Sequence, residues 1–195
     1  MKYAKYVIIA IACICAICAG FFFFSQNQTE TDKKLTKIEE VITKDLKNNY
    51  PKTPRAVMDF YQKIIMCYYT ENPTDAELEK LCEQMRGLMD EDLLLINSKD
   101  EYYASVKADI AKYKEENRKI FSAKVCSTNE VEKIPDDKGD GVVEQIAYVK
   151  TSYYMKVAGQ EPGYTYQEFV LRQDEDGDWK ILVFYKIEGE DSDGK

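Results

Sequence analysis

Apolar residues recur every three or four positions through the middle of the chain, a spacing that predicts amphipathic helices. Three such stripes run over residues 57–68, 78–89 and 103–113. Each begins after residues that favour a helix N-terminus: Thr53 followed by Pro54, Thr74 with Glu77, and Ser98 with Glu101. The apolar run at 93–96 is interpreted as a buried connector between the second and third helices.

Beyond residue 118 the apolar period changes to two, which predicts strands. Four strands are expected, near 120–127 and at 143–157, 164–173 and 179–187. One face of the last strand is expected to carry Trp179, Ile181, Val183, Tyr185 and Ile187. Helices followed by antiparallel strands predict an α+β domain, in which three helices pack on one face of a curved sheet of about four strands.

Two acidic segments invite comparison with calcium-binding loops, at 136–141 and 174–179. An EF-hand loop needs glycine at its sixth position and glutamate at its twelfth. Lys138 occupies a ligand position in the first segment, and Tyr185 stands at the twelfth position of the second. Both segments are therefore predicted to be hairpin turns, and neither a metal nor a cofactor is expected.

The segment 6–24 contains no charged residue and would form a helix of about 28 Å, close to the bilayer core of about 30 Å. We expect a single uncleaved transmembrane helix; the alternative is a cleaved signal peptide, whose apolar region is usually shorter. Lys2 and Lys5 precede the segment and favour a cytoplasmic N-terminus. The C-terminal domain is then expected outside the cell, held at the membrane by this helix.

The chain is expected to divide into four parts: a cytoplasmic tip and transmembrane anchor at 1–25, a polar joint and amphipathic stalk helix at 26–50, the α+β domain at 51–188, and an acidic disordered tail at 189–195. The amphipathic segment is interpreted either as a stalk or as a lid against the domain. Pro51 and Pro54 match a PxxP docking pattern, but the helix start explains them better. Their stretch is interpreted as a hinge.

Composition excludes several classes of function. The chain of 195 residues contains no histidine, which excludes the Ser-His-Asp triad, the Cys-His pair and every His-containing zinc site. The net charge of -8 argues against nucleic acid as a partner, since nucleic-acid-binding proteins present basic surfaces. Of six cysteines, Cys67, Cys82 and Cys126 lie beyond the anchor and are expected to be core thiols rather than a disulfide framework.

A curved sheet capped by helices can enclose a pocket, and four aromatic residues are candidates to line it: Tyr61, Tyr103, Tyr153 and Trp179. The alternative is that they are ordinary core residues. No catalytic residue is predicted, because every acid that can be placed lies in a turn, at a helix end or on an exposed face. An enzyme using Asp and Tyr would need an inward acid whose pKa is raised by an apolar pocket.

The segments "YPKTPRAVMDFYQKI" at 50–64 and "QDEDGDWKIL" at 173–182, with the helix-rich middle, resemble the nuclear transport factor 2-like superfamily. More narrowly, they resemble a family of small membrane-anchored proteins of Gram-positive bacteria. The resemblance covers residues 31–188 and implies a cone of helices and a curved antiparallel sheet. The superfamily includes isomerases, dehydratases and non-catalytic modules, so it does not specify a function. The Asp–Tyr and His–Asp sites of its enzymes have no matching residues here.

Three functions remain open. The first is a non-catalytic extracytoplasmic module that binds a peptide, a small ligand or an envelope protein. The second is an enzyme with an Asp/Tyr pocket, and the third, by analogy with anchored domains of bacterial conjugation complexes, is a scaffold subunit of a membrane machine. A buried acid of raised pKa in a pocket would favour the enzyme, whereas a filled cone with an exposed apolar patch would favour the binding module.

Overall fold

The computed structural model describes residues 35–137 and 143–188. These residues contain five α-helices: Lys37–Ile42 (α1), Pro54–Thr70 (α2), Asp75–Gly87 (α3), Glu91–Leu95 (α4) and Lys99–Glu115 (α5). They also contain five strands: Lys119–Val125 (β1), Glu132–Asp137 (β2), Val143–Lys156 (β3), Gly163–Gln173 (β4) and Trp179–Ile187 (β5). The predicted anchor at 6–24 and the predicted tail at 189–195 lie outside the described residues. Within the described ranges, no helix is both long enough and apolar enough to cross a membrane.

The strands form one antiparallel sheet in the order β1-β3-β4-β5. β3 is long enough to pair with β1 along its second half and with β2 along its first half. The α+β architecture predicted from the sequence is confirmed, with one more strand than expected. β2 was not predicted because all six of its residues are exposed, so its sequence lacks the alternation that marks a half-buried strand.

The three long helices begin where the sequence predicted. The Thr53 hydroxyl accepts a hydrogen bond of 3.1 Å from the Ala56 N–H, and Pro54 occupies the first turn. Thr74 and Glu77 form the predicted capping box at the start of α3. Each cap satisfies backbone donors that have no partner inside the helix.

The core lies between the helices and one face of the sheet, here called the inner face. Its largest fully buried side chains come from both layers: Met58, Ile64 and Tyr68 of α2, Leu81 and Met85 of α3, and Val149, Phe169 and Leu171 of the sheet. Burying each large apolar side chain contributes about 1.5–3 kcal/mol. Cys67 and Cys82 are buried free thiols, as expected, and Cys126 is a half-buried free thiol. Burial raises the pKa of Cys67 to about 11.

A bulge in β5 changes which of its residues face the core. Ile181 pairs with Leu171 on the inner face, while Val183 pairs with Val170 on the opposite face, here called the outer face. The extra residue, Leu182, reverses the alternation. The prediction of a single face is therefore right for Trp179 and Ile181 and wrong beyond the bulge: Val183, Tyr185 and Ile187 lie opposite Val170, Glu168 and Tyr166 of the outer face.

The apolar run at 93–96 is not a buried connector. Leu95 and Ile96 are 83% and 77% exposed, at the end of the single-turn helix α4. The chain is held at the sheet just before this turn instead, since the Asp90 N–H donates to the Ile181 carbonyl and the Ile181 N–H donates to the Leu88 carbonyl. These backbone bonds fix the connection without burying the leucines that follow.

The segment interpreted as a stalk or lid packs against the domain, and the compact unit begins at Lys37 rather than at residue 51. Ile38 and Val41 of α1 are buried in the core. The helix is only six residues long, because the Asp45 carboxylate accepts the backbone N–H groups of Lys47 and Asn48, a local turn that competes with helix.

The stretch interpreted as a hinge is anchored at both sides. Tyr50 is buried, and its hydroxyl donates to the Trp179 carbonyl at 2.9 Å. The Lys180 ammonium lies 3.8 Å from the centroid of the Tyr50 ring, in reach of a cation–π contact. The Thr53 cap follows three residues later. This stretch is therefore a fixed connection between α1 and α2.

Candidate binding surfaces

The structure brings together two of the four residues predicted to line a pocket. Tyr61 packs edge-on against Phe169 of the inner face, with ring centroids 4.9 Å apart. Burial raises the pKa of Tyr61, and the nearby hydroxyl of Tyr153 raises it further. Tyr61 and Tyr153 are therefore neighbours between α2 and the sheet.

The other two predicted residues lie elsewhere. Tyr103 borders an open cleft of about 360 Å³ between α3 and α5, beside Cys82 and Lys99. Trp179 is buried at the start of β5, with the Lys133 ammonium 5.2 Å from its ring centroid. The four residues do not line one pocket, because they point into three different parts of the domain.

Next to Tyr61, three buried polar side chains face one another between α2 and β3. Gln62, Thr151 and Tyr153 are 7%, 2% and 6% exposed. The Gln62 amide nitrogen and the two hydroxyl oxygens lack a hydrogen bond of normal geometry. Burial raises the pKa of Tyr153, and the proximity of Thr151 and Gln62 offsets part of that rise. The group can take a small polar molecule or a water, since unpaired buried polar atoms are costly.

One buried carboxylate, that of Asp90, was not predicted from the sequence. Asp90 is 3% exposed and its carboxylate accepts two hydrogen bonds from the Arg172 guanidinium, one of them 3.0 Å long from Nε. Arg172 also donates to Asp92 at 2.7 Å and lies 3.6 Å from Glu144. The hydrogen bond with Asp90 is the main cause that raises the pKa of Arg172. No sequence signal distinguishes Asp90 from its exposed acidic neighbours.

This ion pair holds α4 to the sheet and lies far from the Tyr153 group. Arg172 pairs across the strands with Ile146, seven residues from Tyr153 along β3, or roughly 23 Å at about 3.3 Å per residue. It also lies on the outer face, whereas Tyr153 faces the core. The Asp90 carboxylate therefore cannot act with Tyr153 as an acid–tyrosine pair.

A second open cleft, of about 530 Å³, lies between the 43–51 segment and α2. Its walls include Tyr50 and Phe60, and the Lys44 ammonium lies 5.3 Å from the Phe60 ring centroid. The Lys63–Glu40 ion pair of 2.7 Å closes one side. Among the described residues, no group of three or more Cys, Asp or Glu side chains is placed to hold a metal ion.

The outer face carries a continuous row of exposed and half-buried aromatic rings, here called the aromatic row. It consists of Phe121, Tyr154, Tyr164 and Tyr166. Successive ring centroids are 5.6, 4.9 and 6.1 Å apart, so the row crosses β1, β3 and β4 and then follows β4. Phe121 is 51% exposed and Tyr164 is 61% exposed. Folding leaves much of Phe121 and Tyr164 in water and only half-buries Tyr154 and Tyr166, although aromatic rings are among the side chains that gain most from burial.

Four exposed lysines of the outer face surround this row: Lys119, Lys124, Lys150 and Lys156. They are here called the lysine frame. Register places them on the same face, since Lys124 pairs with Ser152 and Lys119 pairs with Lys156. Two acids lie near the frame: Glu168, opposite Lys150, and Glu130, near Lys124 and Lys150. A chain of net charge -8 thus presents a locally basic surface.

Part of the aromatic row can be recognised in the sequence. Tyrosines at alternate positions of β4 and a tyrosine pair in β3 were visible, but alternation alone does not tell which face is covered by helices. Strict alternation along β1 would place Phe121 on the same face as Ala123 and Val125. A bulge between Ile120 and Ser122 places its ring against Tyr154 on the outer face.

Comparison with known protein families identifies a family to which the chain is similar. A family described as "Domain of unknown function (DUF6715)" matches residues 1–184. The match therefore includes the uncharged segment at 6–24 and nearly all of the described domain. No curated protein matches the chain.

Proposed function

The chain belongs to this family, and we propose that it is a single-pass membrane-anchored protein whose extracytoplasmic domain binds a partner without catalysis. The aromatic row and its lysine frame form the binding surface. In this proposal the segment at 6–24 is the anchor, with the N-terminus in the cytoplasm of a Gram-positive bacterium. The domain is of the nuclear transport factor 2-like type, and its partner is a protein of the cell envelope.

The observation that supports this proposal most is a row of four contiguous aromatic rings, of which Phe121 and Tyr164 are exposed and the other two are half-buried. Exposed apolar patches of monomeric proteins mark interaction sites more often than chance, and tyrosine and phenylalanine are enriched in interface cores. Scattered exposed residues would carry no such weight, but these rings contact each other across three strands. A role as a scaffold subunit of a membrane complex would use the same surface.

A second candidate is supported by the unpaired polar atoms of Gln62, Thr151 and Tyr153. A small polar ligand between α2 and β3 would satisfy them. Catalysis there would need a group beyond these three, since an amide and two hydroxyls supply no general base at neutral pH. The small-ligand candidate is therefore a binding function as well.

Photo-crosslinking in living cells tests the proposal. A photoreactive phenylalanine analogue replaces Tyr164 of the aromatic row in the full chain, and in a matched variant it replaces Lys80, which is exposed on α3. We expect one defined envelope protein to be crosslinked from position 164 and not from position 80. Equal patterns from both positions, or no adduct from either, would overturn the proposed binding function.

A further inference from the structure

We infer that the occupant of the aromatic row is an acidic, extended polypeptide segment of the partner. This inference rests on the proposed function and names the chemistry of the partner. Three features of the surface support this inference: the extent of the aromatic row, the packing of its rings against one another, and the charge of the lysine frame.

The row has the dimensions of a short peptide. Its three ring-to-ring steps of 5.6, 4.9 and 6.1 Å give a path of at most roughly 17 Å, which matches about five residues of extended chain. Tyrosine offers large, rigid contact area at little cost in conformational entropy, together with a hydroxyl that can bond a peptide carbonyl. A row of this size fits a linear segment better than the flat face of a folded domain, which buries about 800 Å² per partner.

The packing of the rings against one another argues against nucleic acid as the occupant. Neighbouring ring centroids lie 4.9–6.1 Å apart; Tyr164 and Tyr166 are stacked, and the other two pairs are tilted by 41° and 42°. Single-stranded nucleic acids bind to aromatic platforms by placing bases on free ring faces. Rings that pack against one another offer fewer free faces to bases than separated rings do, whereas a peptide chain can lie across them.

The charge of the surface favours a partner segment of negative charge. Four lysines of the frame outnumber the two nearby acids, Glu168 and Glu130, while the whole chain is acidic. Complementary charge steers association and rejects partners of the wrong sign. The excess of lysines on this surface would thus attract an acidic segment.

Peptide binding to the full chain in neutral phosphatidylcholine nanodiscs tests this inference. The probe is a fluorescent decapeptide of alternating glutamate and proline, which is soluble and extended. Matched decapeptides with lysine or serine in place of glutamate are the controls. We expect the glutamate peptide to bind at least tenfold more tightly than either control, and its affinity to fall as salt is raised.

Variants assign the binding to the aromatic row. Tyr164→Ala is expected to weaken binding of the glutamate peptide by about tenfold or more, as for an interface hot spot. Lys150→Gln should weaken it about threefold and reduce its salt dependence. Phe184→Ala removes an aromatic ring of similar exposure from the inner face of the sheet and should leave binding unchanged.

Three results would overturn the inference: no binding of the glutamate peptide, equal binding of the serine peptide, or binding that Tyr164→Ala leaves unchanged. Tighter binding of a thymidine decanucleotide or of phosphatidylglycerol vesicles, lost in Tyr164→Ala, would also overturn it in favour of another anionic partner. In each case a specific crosslink from position 164 in cells would still support the binding function, so the two failures are distinguishable.

Discussion

Both faces of the sheet carry aromatic residues, but these residues differ in burial between the two faces. On the inner face, Phe169 is fully buried and contacts Tyr61. On the outer face, Tyr164 contacts Tyr154 and stacks on Tyr166 while remaining 61% exposed. The inner aromatics are explained by packing, because each removes a large apolar surface from water. The outer aromatics remain without such an explanation, which is why they indicate a function.

The outer face is itself divided. At the end where β3 pairs with β2, Ile146 and Val170 are buried, and Arg172 is locked by Asp90. At the end where β3 pairs with β1, the lysine frame is exposed and the aromatic row is exposed or half-buried. Substitutions that distinguish these regions separate residues that stabilise the fold from residues that are free to bind.

Phe169→Ala should have the largest effect on stability. Its ring is completely buried, and truncating a buried phenylalanine costs about 3–5 kcal/mol in the free energy of unfolding. Tyr164→Ala, the matched truncation on the outer face, should change it by about 0.5 kcal/mol or less. Denaturation of the full chain in detergent, followed by the fluorescence of Trp179, the single tryptophan, measures both. Similar losses in the two variants would mean that the aromatic row is structural.

Arg172→Met should destabilise the domain by up to about 3 kcal/mol, although Arg172 lies on the outer face. The substitution leaves the carboxylate of Asp90 buried without its partner, which is the costly way to break an ion pair. Lys150→Met, which removes an exposed cation from the same face, should have little effect. The double variant Asp90→Asn with Arg172→Met should recover part of the loss; if it is no more stable than Arg172→Met, the ion pair is not what Arg172 contributes.

Much of the fold could be predicted from the sequence because local signals and packing agree there. The stripe of α2, the Thr53 cap and the Thr74–Glu77 capping box all indicate the same boundaries, and all are confirmed. The turn at 174–178 is also confirmed, since the Asp174 carboxylate accepts two backbone N–H groups and Gly177 adopts a φ of 80°.

The surfaces could not be predicted because they depend on register and on packing partners distant in sequence. The bulge at Leu182 moves Tyr185 to the other face, and no residue type marks it. Asp90 becomes buried only because β4 places Arg172 opposite it. Which tyrosines stay exposed depends on where five helices lie, so Tyr103 and Trp179 were assigned to a pocket that they do not share with Tyr61 and Tyr153.

Tyr50→Phe tests whether the segment before α2 is fixed to the domain. The substitution removes the hydrogen bond from the Tyr50 hydroxyl to the Trp179 carbonyl, which should cost about 1 kcal/mol. The same denaturation measurement applies, with Tyr164→Phe on the outer face as a neutral control. If Tyr50→Phe is also neutral, this segment does not depend on that bond and a hinge there becomes the better interpretation.

Tyr153→Phe should have the smallest effect on the free energy of unfolding at neutral pH and a different effect at alkaline pH. Its hydroxyl has no hydrogen bond of normal geometry, so removing it should leave the free energy of unfolding within about 0.5 kcal/mol of the original or raise it. Burial raises the pKa of Tyr153 in the folded state, so the unfolded chain loses this proton first.

Stability from the neutral Tyr153 hydroxyl is therefore complete below the ordinary tyrosine pKa of about 10 and is lost as pH rises above it. Stability should fall less steeply above that pH in Tyr153→Phe than in the original chain. A loss above about 1 kcal/mol at pH 7 would contradict an unpaired hydroxyl. It would show that the Gln62, Thr151 and Tyr153 group binds a ligand or a water. A binding function in the interior would then be favoured over one on the outer face.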